Sequence, residues 1–184
     1  MAGTRESITI AVDDAELRAR LRTLIGALAN PAPMMREIGE VLYASTKRRF
    51  STQTDPQGQR WAQNADSTLL NYLRQRGGLS RRRTATGGRT LTQRGVQGLA
   101  GKKILTQRGH LADTIAYQLR DNGRAVEVGT NRVYAAMQQF GGTKAQWPHL
   151  WGDIPARPFL GISADDRARI VEILDDYISQ SVGG

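Results

Sequence analysis

The chain has 184 residues, two His, no Cys and a formal net charge of +9. At that length one hydrophobic core is the default, and the inventory allows no disulfide framework, no thiolate metal site and no His-built one. No apolar run approaches the ~20 residues of a spanning helix, and the N-terminus lacks a signal-peptide core. A soluble protein assembled in a reducing cytoplasm, holding no metal or other cofactor, is therefore expected.

The charge is unevenly placed. Residues 67–110 hold ten Lys and Arg and no Asp or Glu, which leaves the rest of the chain at −1. Basicity is a property of one segment, not of the protein as a whole.

In chain order, residues 7–12 alternate with Ile8, Ile10 and Val12 on one side and predict a half-buried strand. Asp13-Asp14-Ala15-Glu16 is a capping sequence that opens a helix whose apolar face is Leu17, Leu21, Leu24, Ile25 and Leu28. Asn30-Pro31 stops it. Pro33 suits the first turn of a second helix, in which Met34, Ile38, Val41, Leu42 and Ser45 keep the period up to Phe50. Two antiparallel helices joined by a short Pro turn are expected.

Residues 51–66 are polar, with turn signals at Asp55-Pro56 and Gln57-Gly58 and one large apolar anchor, Trp61. Ser67 suits the cap of a short helix through Leu69, Leu70, Tyr72 and Leu73. Residues 77–103 are rich in Gly, Thr and Arg without a sustained period, and read as a flexible basic loop insertion. Leu91-Thr92-Gln93-Arg94-Gly95 nearly repeats as Leu105-Thr106-Gln107-Arg108-Gly109, but two copies do not make a solenoid.

Leu111, Ile115 and Leu119 recur at four-residue steps around Ala112 and Ala116, which predicts a helix broken by Asp121-Asn122-Gly123. Residues 125–129 alternate and predict a strand. A helix follows over 133–140, with Tyr134, Met137 and Gln138 on one face, Tyr134 and Phe140 read as core, and Gly141-Gly142 as the stop. The loop 143–155 holds Trp147, His149 and Trp151 between prolines, too much apolar surface for an idle solvent loop. Ser163-Ala164-Asp165-Asp166 caps a last helix with the stripe Ile170, Ile173, Leu174, Tyr177 and Ile178. The expected fold is α+β in a single domain: a small, mostly antiparallel sheet from residues 8–12, 125–129 and about 159–162, packed on three to four helices.

Four pieces in the second half occur in a fixed order. They are Ile104-Leu105-Thr106 with Gly109-His110-Leu111; Val126 through Asn131; Tyr134-Ala135-Ala136 with Gln139-Phe140-Gly141-Gly142; and Ile154-Pro155-Ala156-Arg157-Pro158-Phe159-Leu160-Gly161. Together they resemble the phage virion morphogenesis family of tail completion proteins. The resemblance implies a structural virion protein at the neck, forming a ring, expected as a hexamer, at the head-proximal end of the tail and needed for head-tail joining. The partners it implies are further copies of the chain, neck or connector and tail tube proteins, and double-stranded DNA in the channel, with no membrane. The chain departs from the pattern at Gln138, where a His often stands, so no ligand role is carried over there.

Trp147, Trp151 and Phe159 lie outside any period and beside prolines, so together with Arg157 they are candidates for contact with another subunit or partner. Arg157, between Ala156 and Pro158, suits a tie from this region to a carboxylate or a backbone carbonyl. Arg81, Arg82, Arg83, Arg89, Arg94, Lys102 and Lys103 suit either DNA phosphates or an acidic protein neighbour, since charge constrains a partner's sign and not its identity. Only Tyr72 lies near these cations, which argues against a base-stacking platform for single strands. No catalytic residue is expected: Asp165-Asp166 and Asp175-Asp176 read as a helix start and an exposed face, and His110 and His149 are isolated. The alternative from another class is a nucleic-acid-binding accessory protein that never joins a particle.

Overall fold

The structure, a computed structural model, describes residues 15–105, 110–150 and 152–183. The strand expected at 7–12, the cap Asp13-Asp14, the second copy of the near-repeat after Leu105 and Trp151 lie outside them. The fold is α+β, with helices around two small antiparallel sheets.

Helix α1 (Ala15–Ala29) ends before Asn30-Pro31, and α2 (Ala32–Thr52) starts with Pro33 in its first turn. Helix α2 stops where Gln53 turns left-handed (φ 59°) and donates its N–H to the Arg49 carbonyl. The expected antiparallel pairing of these two helices is not what forms. Helix α1 lies along the last helix, α7 (Ala164–Gly183), which in turn packs on α2. The reason lies in α2, whose apolar surface is already taken by α7 and by a sheet. Met34 and Ile38 bury against Ile173, with Val126, Ile170 and Leu174 around them.

That sheet is the largest departure from the sequence reading. Only His110–Asp113 (α5) is helical; Ile115–Arg120 is a strand, β3. It pairs in unbroken antiparallel register with β4 (Ala125–Thr130), from Ile115 opposite Thr130 to Arg120 opposite Ala125, across the 3-10 turn Asp121–Gly123. Ile115, Tyr117 and Leu119 satisfy a period of two as well as the four-residue step, and pairing with the adjacent Val-rich strand decides between the two. Residues 159–162, expected as a third strand, form no ladder among the described residues.

Helix α2 meets this sheet at Gly39. A Cβ there would collide with the Tyr117 ring and come within 2.9 Å of Val126. Gly39→Val should cost ~1–3 kcal/mol through overpacking, read as a lower denaturant midpoint with unchanged slope.

The basic insertion is ordered into elements rather than a loop. Helix α3 (Asp66–Gln75) leads into a hairpin of β1 (Leu79–Arg83) and β2 (Arg89–Leu91), followed by α4 (Gln93–Ala100). These elements pack chiefly on one another and make an arm. Its hinge is two glycines: Gly95 sits so close to Gly78 that any Cβ would strike the Gly78 carbonyl. Thr92 fixes the join, its N–H on the Gly78 carbonyl (2.9 Å) and its hydroxyl oxygen capping α4 at the Gly95 N–H (3.1 Å).

Helix α6 (Ala135–Phe140) ends at Gly141 (φ 71°) as expected. Tyr134 and Phe140, expected in the core, are instead 42% and 78% exposed, and Ala135 is the residue α6 buries. The main core is Phe50, Trp61, Ile104, Leu111, Ile115, Ala135 and Phe159. In it the Phe50 ring meets Trp61 edge-on at 5.5 Å and Phe159 at 5.4 Å.

Candidate interaction surfaces

The segment from Ile154 to Leu160 is held from four directions by groups far away in the chain. Arg157 is buried and donates to the carbonyls of Ala62 and Gln63 (2.8 Å each), with a longer bond to the Gln138 amide oxygen (3.4 Å). Of the two acceptors expected for a tie it takes carbonyls, and it takes them inside its own chain, so the guanidinium expected at a partner contact is buried and already committed; burial lowers it from the ordinary value. Gln139 stands in for a missing strand: its amide oxygen accepts from the N–H groups of Phe159 and Leu160, and its amide nitrogen donates to the Leu160 carbonyl. The Trp61 indole donates to the Pro158 carbonyl (2.8 Å), and Arg49 to that of Phe159 (2.9 Å). Phe159 is 0% exposed. It therefore cannot be a subunit contact, because the core of its own chain surrounds it.

Arg49 also makes a buried ion pair with Asp166 (2.6 Å). Ser163 and Asp166 form the expected capping box, each side chain accepting the other's N–H (2.9 and 3.1 Å). Burial alone would raise the Asp166 carboxyl. Hydrogen bonds from Ser45 and Ser163 and the Arg49 charge outweigh it and hold the group below the usual carboxylate range. Arg49 is a residue the sequence reading missed, since its partners lie more than a hundred positions away.

Outside this clamp, exposed apolar side chains flank α6. Val133 is 97% exposed, and with Tyr134 and Phe140 it is joined by Trp147, which is 53% exposed. The loop bearing Trp147 is closed at its base by paired bonds between Gly142 and Ile154 (2.8 and 2.9 Å), and Lys144 N–H is held by Asp153 (2.7 Å). The tryptophan is thus presented by a braced loop.

The second surface is the arm. Arg81, Arg82 and Arg83 on β1, Arg89 on β2, Arg94 on α4 and Lys103 after it are all exposed. Lys102 is half-buried over the Tyr72 ring (5.5 Å), where burial and the Arg76 charge lower its ammonium.

A cleft of about 580 Å³ separates the arm's base from α6. Asp153 is the single carboxylate among its described lining residues, and it is committed to the Lys144 N–H, so no acid-base pair is assembled there. No group of three or more His, Asp or Glu converges among the described residues, and no described helix is long and apolar enough to cross a membrane.

The described residues thus form a small α+β body with a braced aromatic loop and a cationic arm. The chain belongs to the phage virion morphogenesis family, whose sequence model matches residues 12–95 and 81–179. It is a phage assembly protein. It is 27% identical over 177 residues to the putative capsid assembly protein G of Escherichia phage Mu, covering 95% of this chain and 96% of that one. It is also 46% identical over 57 residues to the Mu-like prophage FluMu G protein 2 of Haemophilus influenzae, covering 31% and 39% respectively. No solved structure matches it.

Proposed function

We propose that the protein is a non-enzymatic tail completion, or neck, protein of a tailed phage. It forms a ring, expected as a hexamer, at the head-proximal end of the tail and is needed for the tail to join a filled head. The observation that carries this reading is a single chain of this family with two unlike surfaces, an apolar one around α6 and Trp147 and a cationic arm. A ring repeats one heterologous interface around its axis and leaves other surfaces for the axial neighbours. The apolar surface builds the ring; the arm faces the channel or the adjoining connector or tail protein.

Deleting the gene and imaging the lysate by negative stain tests the reading. Finished heads beside unattached tails, or tails of irregular length, are expected; normal infectious particles would end it. Trp147→Ala should leave folding stability within about ±0.5 kcal/mol, as for a surface position, yet shift the light-scattering mass toward smaller species. An unchanged mass removes Trp147 from the interface. The accessory-protein alternative draws its support from the arm alone, and requires the chain to be absent from purified virions.

A further inference from the structure

We propose that the β1–β2 ribbon of the arm binds double-stranded DNA through its phosphates, without reading sequence. This names the partner of the arm in the function above, but the binding follows from the ribbon's own chemistry.

The ribbon is poorly arranged for its own stability. Arg83 lies directly across from Arg89 in the ladder, and like charges facing each other across strands are destabilising. Arg81 and Arg82 add two more exposed cations, and no ion pair joins any of the four to a carboxylate among the described residues. The ladder is also irregular: between the pairs Leu79–Leu91 and Arg83–Arg89, three residues of β1 face Thr90 alone. Ser80 repairs the gap, its hydroxyl accepting from the Thr90 N–H (3.2 Å) and donating to the Arg82 carbonyl (2.7 Å). The tip is closed by Thr84 and Gly88, with Gly87 at φ 80°. A hairpin braced in this way around unneutralised arginines is a local conflict of the kind found where a ligand completes the balance.

The composition of the ribbon selects the polyanion. From residue 80 to 90 the side chains are Arg, Ser and Thr apart from Ala85 and two glycines. An acidic protein partner calls for apolar or aromatic anchors at the centre of the contact; the ribbon's one exposed large apolar side chain, Leu91, sits at its base, away from the arginines at 81–83, and the stretch between has none. Arginines interleaved with hydroxyls are what phosphate backbones are held by, and a two-stranded ribbon fits a major groove ~12 Å wide. A single strand is disfavoured, because the arm's one aromatic, Tyr72, is already covered by Arg76 and Lys102 at 5.5 Å each.

The test is fluorescence anisotropy of the full chain with a random-sequence duplex of about 30 base pairs, titrated across salt from about 50 mM upward. Each phosphate contact contributes ~0.9 to the slope of log affinity against log salt. Changing Arg81, Arg82 and Arg83 together to Ser should therefore reduce that slope by ~2–3 and weaken binding at the lowest salt by about tenfold or more. The triple Lys version should restore the slope, because phosphate contact needs charge rather than a guanidinium fork. An unchanged slope in the Ser variant, no duplex binding by the unaltered chain, no rescue by Lys, or tighter binding of a single strand of equal length each overturns the proposal. These positions are exposed, and an unfolding midpoint no lower than that of the unaltered chain confirms that the Ser variant is folded. The tail-completion reading is decided by the particles of the deletion phage, and neither result here touches it.

Discussion

Asp166→Ala is expected to destabilise the protein by ~3–5 kcal/mol, the loss that follows when one partner of a buried ion pair is removed and the other is left uncompensated. At ~2–4 °C per kcal/mol for a chain of this size, the melting temperature should fall by on the order of 10 °C. The effect is large because one carboxylate serves three elements. It holds the Arg49 guanidinium of α2, which has side-chain exposures of 6% and 3% across the pair, and it closes the cap of α7. Through Arg49 it also steadies the Phe159 carbonyl. The carboxyl is depressed in the folded state, so its contribution is complete above the unfolded value of ~3.9 and is lost as pH falls through the lower folded value. Unfolding of the unaltered protein should therefore steepen below about pH 4, and Asp166→Asn should flatten that part of the profile. A midpoint within about 1 kcal/mol of the unaltered protein would mean that the pair is not formed in solution.

Phe159→Ala should be comparably severe, at ~3–5 kcal/mol, because it empties the centre of the core rather than its edge. The ring packs on Phe50, which packs on Trp61, while the backbone around it is pinned by Gln139 and Arg49. Those pins restrict collapse of the chain into the vacated space, which places the cost toward the upper end. Chemical denaturation read by tryptophan fluorescence reports it, since Trp61 is a neighbour of the cavity. A loss below about 1 kcal/mol would show that residues 154–160 relax freely, contrary to the four ties described.

How far the fold could be read from the residues differs by element. The helical stripes of α2 and α7, the Ser163–Asp166 box, the strand at 125–130 and the anchor Trp61 were legible, because each is encoded by neighbours in the chain. The strand β3 was not, since Ile115 and Leu119 satisfy two periods and only the presence of β4 resolves the choice. The arm hid its order for a different reason. Its ladder is irregular, and its helix-to-hairpin join depends on Gly78 meeting Gly95, a contact that apolar periodicity does not register.

The candidate surfaces followed the same rule. Exposure of the arginines was legible from their density, whereas Trp147 and Phe159 looked alike beside their prolines and ended one exposed and one buried. What separates them is Gln139, whose amide draws Phe159 inward and leaves no signature in the sequence.

The arm's closure on its own pair of glycines has a consequence for how such proteins diversify. An appendage that folds against itself can be lengthened, shortened or given the opposite charge as a cassette, while the body that carries it keeps its interior unchanged. Exchanging roughly the stretch from α3 to α4 would in this way rewrite the chemistry of the arm apart from the architecture that supports it.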